Sequence, residues 1–507
     1  NMCGIAGIWG TVDEEVIRVM MLRLVHRGPD SQGILRKPER RTVLGHRRLA
    51  VIDPAGGDQP IRSEDGHQAL VANGEIYNFR SLRSRLKDRH RFQTQSDSEV
   101  VLALYAERGT ACASDLDGMF AFALADGDDL FVARDPIGIK PLYFGRRNGN
   151  LLFASEIKAL IGLAEEIREF PPGSWFHSRI GTRIFYEVPD RTPVERTVKE
   201  TVARVRETLE RSVTKRLMSD VPLGAFLSGG LDSSIIAALI RPHVDKLHTF
   251  SVGIEGSRDL QAARTVANHL DTVHHEHVLK PEEIAASLSE ILFHLESFDQ
   301  DLVRSAIPCY FAARLASQEV KVILTGEGAD ELFAGYRYYR DYEDPALLQR
   351  ELRRSIRSLH NINLQRVDRM TMAHSIEGRV PFLDVEMIEL AQTIPPELKL
   401  KKNGGPRLVE KWVLRKACED LLPAEIVWRY KEQFDEGSGT VELLREAIGR
   451  WMPAGEAGQY SRHHPIARLR SPEECLYHKL LCEAYTDPTP IITNVSRWAD
   501  REVGDAV

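Results

Sequence analysis

The pattern of apolar residues changes once along this 507-residue chain, near residue 200, and the change constrains what it can fold into. Up to Tyr186, short apolar runs alternate with turn residues. Strands are predicted over 5–9, 43–51, 69–72, 119–125, 130–133 and 151–154, and helices over 12–24 and 98–108. Such a mixture predicts a sheet-rich, layered α+β unit. Val202, Val205, Leu209 and Val213 then line one helical face. Beyond them strand and helix alternate: strand 221–227, helix 233–240, strand 247–252, helix 260–270, strand 320–324. That rhythm predicts an α/β doubly wound parallel sheet, and from residue 347 the chain turns mainly helical. Between the two regimes, 188–197 has two prolines and alternating charge. The expected organisation is therefore a first domain over 3–186, a linker over 187–200 and a second domain over 201–507. No internal repeat is evident.

Composition narrows the function classes. With 43% hydrophobic and 28% charged residues the chain is ordinary for a soluble globular protein. Its net charge of −7 offers no basic surface for nucleic acid. No apolar run approaches the about 20 residues that span a bilayer, and no signal peptide is expected, because the start is short, Gly-rich and lacks a basic region. The six cysteines (3, 112, 309, 418, 475 and 482) include no Cys-x-x-Cys pair. That spacing argues for a reducing compartment rather than a disulfide framework, and the expected location is the cytoplasm.

Cys3, directly after Met2 and followed by Gly4-Ile5-Ala6-Gly7, becomes residue one if the Met is removed. A thiol on residue one carries its own base, because an α-amine titrates at about 7.7–8.0, where a general base works best. Nucleophile and base then share one residue. Asn1, ahead of the Met, is read as a cloning remnant; with Asn1 and Met2 attached, Cys3 has an amide nitrogen and no base. Alone, Cys3 fits a small buried apolar residue near a strand start better than a nucleophile, and the stretches that follow reverse that balance.

Four further stretches accompany it: His26-Arg27-Gly28-Pro29-Asp30, His46-Arg47-Arg48-Leu49, Asn73-Gly74-Glu75-Ile76-Tyr77-Asn78 and Ser96-Asp97-Ser98-Glu99. Each has an ordinary structural reading. Gly-Pro-Asp suits a turn, Asn73-Gly74 a hairpin, and Asp97 a helix cap. Together, with the cysteine, they resemble the class II (N-terminal nucleophile) glutamine amidotransferase domain over residues 3–186. The resemblance implies that Cys3 attacks the side-chain amide of glutamine and releases ammonia through a thioester. It implies an oxyanion hole made by Asn73 and the Gly74 N–H, with Arg48 on the α-carboxylate, Asp97 on the α-ammonium, and Glu75 also at the glutamine site.

In the second half, Ser228-Gly229-Gly230-Leu231-Asp232-Ser233-Ser234 follows a predicted strand and opens a predicted helix. There, glycines let backbone approach phosphate and the helix start supplies unpaired N–H donors. It is not a Walker A loop, since no Gly-Lys-Ser/Thr is present. A plain helix start is the structural alternative. The stretch Leu324-Thr325-Gly326-Glu327-Gly328-Ala329-Asp330 follows another predicted strand. The first loop resembles the pyrophosphate loop of the ATP pyrophosphatases, which cleave ATP between the α and β phosphates. Mg²⁺ on Asp232 and Asp330 is implied by that match, as are nucleotide contacts from Leu227, Val252, Thr325 and Gly326. Lys431-Glu432-Gln433-Phe434 matches a lysine that neutralises the reacting phosphate.

To about residue 440 the chain resembles the glutamine-hydrolysing asparagine synthetases of the B type, supported by Arg379-Val380-Pro381-Phe382-Leu383-Asp384. The resemblance implies that ATP is a substrate with Mg²⁺, that glutamine and aspartate are the small-molecule partners, and that ammonia crosses between two sites. It implies acceptor contacts from Arg304, Glu327 and Arg379, catalytic roles for Glu327 and Lys431, and a possible homodimer. Gly378 stands where the family commonly has alanine, and 452–507 matches only patchily. Two rivals share parts of this pattern: a relative amidating a different carboxylate in a biosynthetic or envelope-polymer pathway, and a nucleotide binder without turnover. Asp232, Glu327 and Lys431, all present, argue against the second.

Overall fold

The computed structural model describes residues 3–11, 13–36, 41–402, 407–429 and 440–497. Its first unit stacks two six-stranded antiparallel sheets. One contains β1 (Cys3–Trp9), β2 (Ser31–Arg36) and β3 (Thr42–Arg48) with β8 (Tyr143–Arg147), β9 (Asn150–Ala154) and β10 (Glu165–Glu169), in the order β10-β8-β9-β1-β3-β2. The other contains β4 (Ile61–Arg62), β5 (Gln68–Ile76), β6 (Gly118–Asp126), β7 (Asp129–Arg134), β11 (Ser174–His177) and β12 (Gly181–Ile184), in the order β12-β11-β7-β6-β5-β4.

Alternation along the strands decides the layers. Ile5, Leu44, Val71, Ala121 and Ala123 point between the sheets and form one buried cluster. The outer face of the first sheet is covered by α1 (Glu14–Leu22), which starts where Asp13 accepts from the Glu15 and Val16 amides. Ile17, Met20 and Met21 on one face of α1 bury against that sheet. Gly45 makes room, since a Cβ there would lie 2.5 Å from Met21 Sδ. The second sheet is covered by α2 (Phe79–Leu86) and α3 (Glu99–Arg108). Asn73-Gly74-Glu75 is not a hairpin turn: it lies inside β5, buried and paired with β6.

In the second unit α4 (Val198–Lys215) begins with a Thr197–Glu200 capping box, inside the segment read as linker. Five parallel strands follow: β13 (Leu223–Phe226), β14 (His248–Gly253), β15 (Val273–Val278), β16 (Val322–Leu324) and β17 (Glu377–Arg379). Their order is β15-β14-β13-β16-β17, so strand order reverses between β13 and β16. Ligands of open α/β sheets bind beyond the strand ends at such a reversal. Helices α5 (Leu231–Ile240), α6 (Arg258–Leu270), α7 (Pro281–Leu295), α8 (Gln300–Ala316), α9 (Ala329–Phe333), α10 (Pro345–Arg357) and α11 (Asn363–Met372) connect the strands. Past β17 the described residues are mainly helical, and Asn494 reaches back to the first unit, where its Nδ2 donates to the Ile167 carbonyl at 2.9 Å. Among the described residues no helix is long and apolar enough to cross a membrane.

The two units share one apolar core, in which Leu49, Val51, Ile52, Met119 and Ile139 of the first join Leu209, Leu227, Val380 and Leu383 of the second. Beside it lies a buried ionic cluster. Arg27 spans Asp368 with two bonds of 2.7 and 3.0 Å and reaches Glu156 at 2.7 Å. Arg369 meets Glu296 at 3.0 Å, and Lys158 reaches both Glu156 (2.5 Å) and Glu296 (3.1 Å). Removing one partner of a buried pair strands the other charge, at a cost of about 3–5 kcal/mol. Arg27→Met should therefore lower the denaturation midpoint of the full chain markedly, whereas the exposed Arg18→Met should not. Equal midpoints for the two variants would contradict a structural role for the cluster.

Candidate active sites

Cys3 opens β1 and is fully buried, opposite Arg48 on β3. Its backbone nitrogen donates to Asn73 Oδ1 at 2.9 Å, and its carbonyl accepts from Arg27 Nε at 3.1 Å. Burial pushes the Cys3 thiol up to about 11, so it is protonated at neutral pH and needs a base to become a nucleophile. With its oxygen on Cys3, Asn73 turns a buried Nδ2 that has no partner among the described residues. An unused buried donor beside a nucleophile is what a developing oxyanion requires. Next to it, Gly74 adopts φ +138°, and a Cβ there would lie 1.9 Å from the Met119 carbonyl, so no other residue fits.

Asp97 is buried beside this strand. Its Oδ2 accepts from the Ile76 amide at 2.7 Å, and its Oδ1 has no partner among the described residues. Burial raises its pKa, so the carboxylate would gain from a cation nearby. It is not a helix cap; that position is held by Ser98. The Arg48 guanidinium is wrapped by the loop after β3, donating to the carbonyls of Ile52, Asp53 and Pro54 and to Asp58. Glu75 is buried and faces the second unit, 3.8 Å from Arg379 Nη2.

At the carboxyl end of β13, Leu227 is buried and its amide donates to the Phe250 carbonyl at 2.9 Å. Ser228 and Ser233 hydroxyls lie 3.0 Å apart, and the Gly230 amide donates to Ser228 Oγ at 3.3 Å. Ser234 Oγ donates to the Gly230 carbonyl at 2.7 Å, tying the loop to the first turn of α5. Gly229 sits at φ +76°, packed so closely on α6 that a Cβ would meet the Asp259 carbonyl at 2.3 Å. Gly326 allows the loop after β16 to touch α5, where a Cβ would lie 2.7 Å from Asp232 Cβ. Thr325 Oγ1 accepts from the Glu327 amide at 3.3 Å, and Val252, at the end of β14, is buried. The two loops thus flank the reversal point of the sheet.

The carboxylates of Asp232 and Asp330 converge on one point, occupied by Lys411 Nζ at 2.5 Å from each. Burial opposes the Lys411 charge, but the two carboxylates hold it above the ordinary lysine range. A pair of carboxylates meeting at one point is the donor set Mg²⁺ takes alongside phosphate oxygens, so these two residues fit such an ion once the ammonium moves aside. Glu327 accepts from Asn363 Nδ2 at 2.6 Å and from Arg366. No motif in the sequence marks Lys411, Asn363 or Arg366. Lys431 lies outside the described residues.

Two residues expected at the acceptor already have partners within the chain. Arg304 is engaged by Glu473 through bonds of 2.9, 3.1 and 2.5 Å, so a carboxylate of the chain itself already fills its fork. The Arg379 side chain faces the boundary between the units, bonded to Glu377 at 2.6 Å and to the carbonyls of Arg216 and Met218. Only its backbone meets the nucleotide loops, where its carbonyl accepts from the Thr325 amide at 3.0 Å.

Comparison with known proteins agrees with this two-site arrangement. Residues 2–178 match the glutamine amidotransferase domain family, and 204–347 and 341–481 match the asparagine synthase family. Asparagine synthetase B [glutamine-hydrolyzing] of Escherichia coli is 38% identical over 96% of this chain and 92% of its own length. Asparagine synthetase [glutamine-hydrolyzing] 2 of rice is 41% identical over 96% of this chain and 85% of its own length. A probable asparagine synthetase [glutamine-hydrolyzing] of Schizosaccharomyces pombe is 38% identical over 99% of this chain and 96% of its own length. Relatives this similar over nearly the whole length place the chain in the family of glutamine-hydrolysing asparagine synthetases.

Proposed function

We propose that this chain hydrolyses glutamine at Cys3 and uses the ammonia to convert aspartate into asparagine at the second site. The observation that carries the reading is the trio at Cys3. Its nitrogen is held by Asn73, a buried donor is left over on Asn73, and a buried acceptor is left over on Asp97.

The residues divide the work as follows. The α-amine of a chain beginning at Cys3 takes the thiol proton. The sulfur attacks the amide carbon of glutamine, and Asn73 Nδ2 and the Gly74 N–H receive the oxyanion. One such donor is worth about 3 kcal/mol of barrier. The C–N bond breaks, ammonia leaves with the transferred proton, and water hydrolyses the thioester to glutamate. Arg48 binds the α-carboxylate, Asp97 the α-ammonium, and Glu75 borders the pocket. Fixing both charged ends selects free glutamine.

At the second site the β-carboxylate of aspartate attacks the α-phosphorus of ATP, and pyrophosphate leaves. Ser228, Gly229, Gly230, Ser233 and Ser234 cradle the pyrophosphate, while Leu227, Val252, Thr325 and Gly326 border the nucleoside. Asp232 and Asp330 would hold Mg²⁺, which offsets phosphate charge. Lys431 is proposed to neutralise the reacting phosphate. Ammonia then attacks the acyl carbon, and AMP departs. Glu327, steadied by Asn363 and Arg366, can take a proton from the attacking nitrogen. Ammonia is mostly ammonium in neutral water, so a route through the shared apolar core would keep it nucleophilic. With Arg304 engaged by Glu473, the group that recognises the acceptor acid is best found by assaying a panel of carboxylates for pyrophosphate release.

With MgATP, aspartate and ammonium the products should be asparagine, AMP and pyrophosphate; ADP and phosphate would exclude adenylation. Cys3→Ala should abolish glutamine-driven synthesis and spare ammonium-driven synthesis, with Asp232→Asn doing the reverse. Loss of both activities in Cys3→Ala would contradict separate sites. Asn73→Ala should cut glutaminase kcat by about 10²–10³ without affecting ammonium-driven synthesis. Protein that keeps Asn1 and Met2 lacks the α-amine, and its glutaminase rate should be lower by about 10²–10⁴ than that of protein beginning at Cys3. Equal rates, with both N-termini verified by intact-mass measurement, would remove the amine from the mechanism.

A further inference from the structure

The amino-terminal ends of β14 and β15 carry a side-chain cluster that neither reaction uses. Parallel pairing sets Phe250 beside His275, and side chains alternate along each strand, so His248 and Phe250 share a face with His275 and His277. This face packs under α8, where Phe250 joins Ala313 and Ala316, and the His277 ring stacks on Phe311. At the open end of that face, His248 Nδ1 lies 3.0 Å from His275 Nε2 with the ring planes 12° apart. Glu319, in the turn between α8 and β16, brings a carboxylate to the pair. One ligand atom from each of the three lies within 4.8 Å of the others. Both histidines are half-buried and Glu319 is exposed, so the cluster is ordered by the sheet yet open to solvent.

We propose that His248, His275 and Glu319 form a binding site for a divalent transition-metal ion of the zinc class, at the end of the sheet opposite the nucleotide loops. Two imidazole nitrogens and a carboxylate are a zinc donor set with one position left for water. Imidazole donors disfavour Mg²⁺ or Ca²⁺, which take oxygen. Zinc–nitrogen bonds of about 2.0–2.1 Å place two donors on a tetrahedral ion about 3.3 Å apart. The histidine pair is within a few tenths of an ångström of that spacing. An ion entering there replaces the single proton the two nitrogens can share. The neighbouring polar groups are otherwise engaged. His277 meets Glu283 at 3.3 Å, while His274 and Glu276 lie on the opposite face, bonded to Thr249 and Arg264. Among the described residues no other trio of His, Cys, Asp or Glu converges in this way. The ion would tie β14, β15 and the lead-in to β16 together, stabilising only the folded chain.

The test titrates the metal-free full-length protein with Zn²⁺ against a chromophoric chelator and follows thermal unfolding with and without the ion. His275→Gln should bind one equivalent fewer than the unsubstituted protein and lose the zinc-dependent rise in midpoint. Glu319→Gln, at an exposed position where folding is not at stake, should weaken that equivalent by about tenfold or more. Unchanged stoichiometry and affinity in Glu319→Gln, or no zinc-dependent midpoint shift in the unsubstituted protein, would overturn the assignment.

Discussion

The buried guanidinium of Arg27 ties the two halves of this molecule together. It donates to the Cys3 carbonyl from one side, to Glu156 beneath, and to both oxygens of Asp368 on α11 across the boundary. Ion pairs this dry are weak contributors to stability, because desolvation offsets most of the Coulomb gain. What they supply is geometry, since an arginine fork meets a carboxylate in one orientation. The backbone at Cys3 is thereby held in register with a helix of the other unit. That same helix carries Asn363 and Arg366, which hold Glu327. One helix thus connects the surroundings of Cys3 with those of the nucleotide loops.

The second half is organised around an opposite problem, too much negative charge in one place. Asp232 and Asp330 cannot both remain ionised at close range without a cation. Lys411 supplies one, buried between them. Gly335 is what lets the chain come so near, since a Cβ there would lie 1.8 Å from Asp330 Oδ1. The loops carrying these carboxylates sit on either side of the point where strand order reverses, so sheet topology brings two sequence-distant motifs together.

Much of this was legible in the sequence, for reasons that can be named. Strand–helix alternation after residue 200 reports the parallel sheet because helices must cover both of its faces. Ser228–Ser234 and the loop after β16 were visible because runs of glycine and hydroxyl residues between a strand and a helix stand out from the apolar pattern around them. Asn73-Gly74-Glu75 was ambiguous, because Asn-Gly also marks hairpins; only the pairing of β5 with β6 shows it mid-strand. Lys411, Asn363 and Arg366 were illegible, since their roles arise from contacts across 36 to 179 positions of sequence. The Arg304–Glu473 pair was illegible for the same reason: Glu473 lies 169 residues away, in a region that matched the family only patchily.

If ammonia is made at Cys3 as proposed, the buried core shared by the two units would let it reach the second site without meeting bulk water. Isotope competition tests it most directly. Glutamine labelled with ¹⁵N at the side-chain amide is supplied together with an excess of unlabelled ammonium, and the asparagine formed is analysed by mass spectrometry. Asparagine far richer in ¹⁵N than the ammonia of the medium is expected. Asparagine carrying the isotope ratio of the medium would show that the ammonia equilibrates with bulk water, and would contradict the proposal.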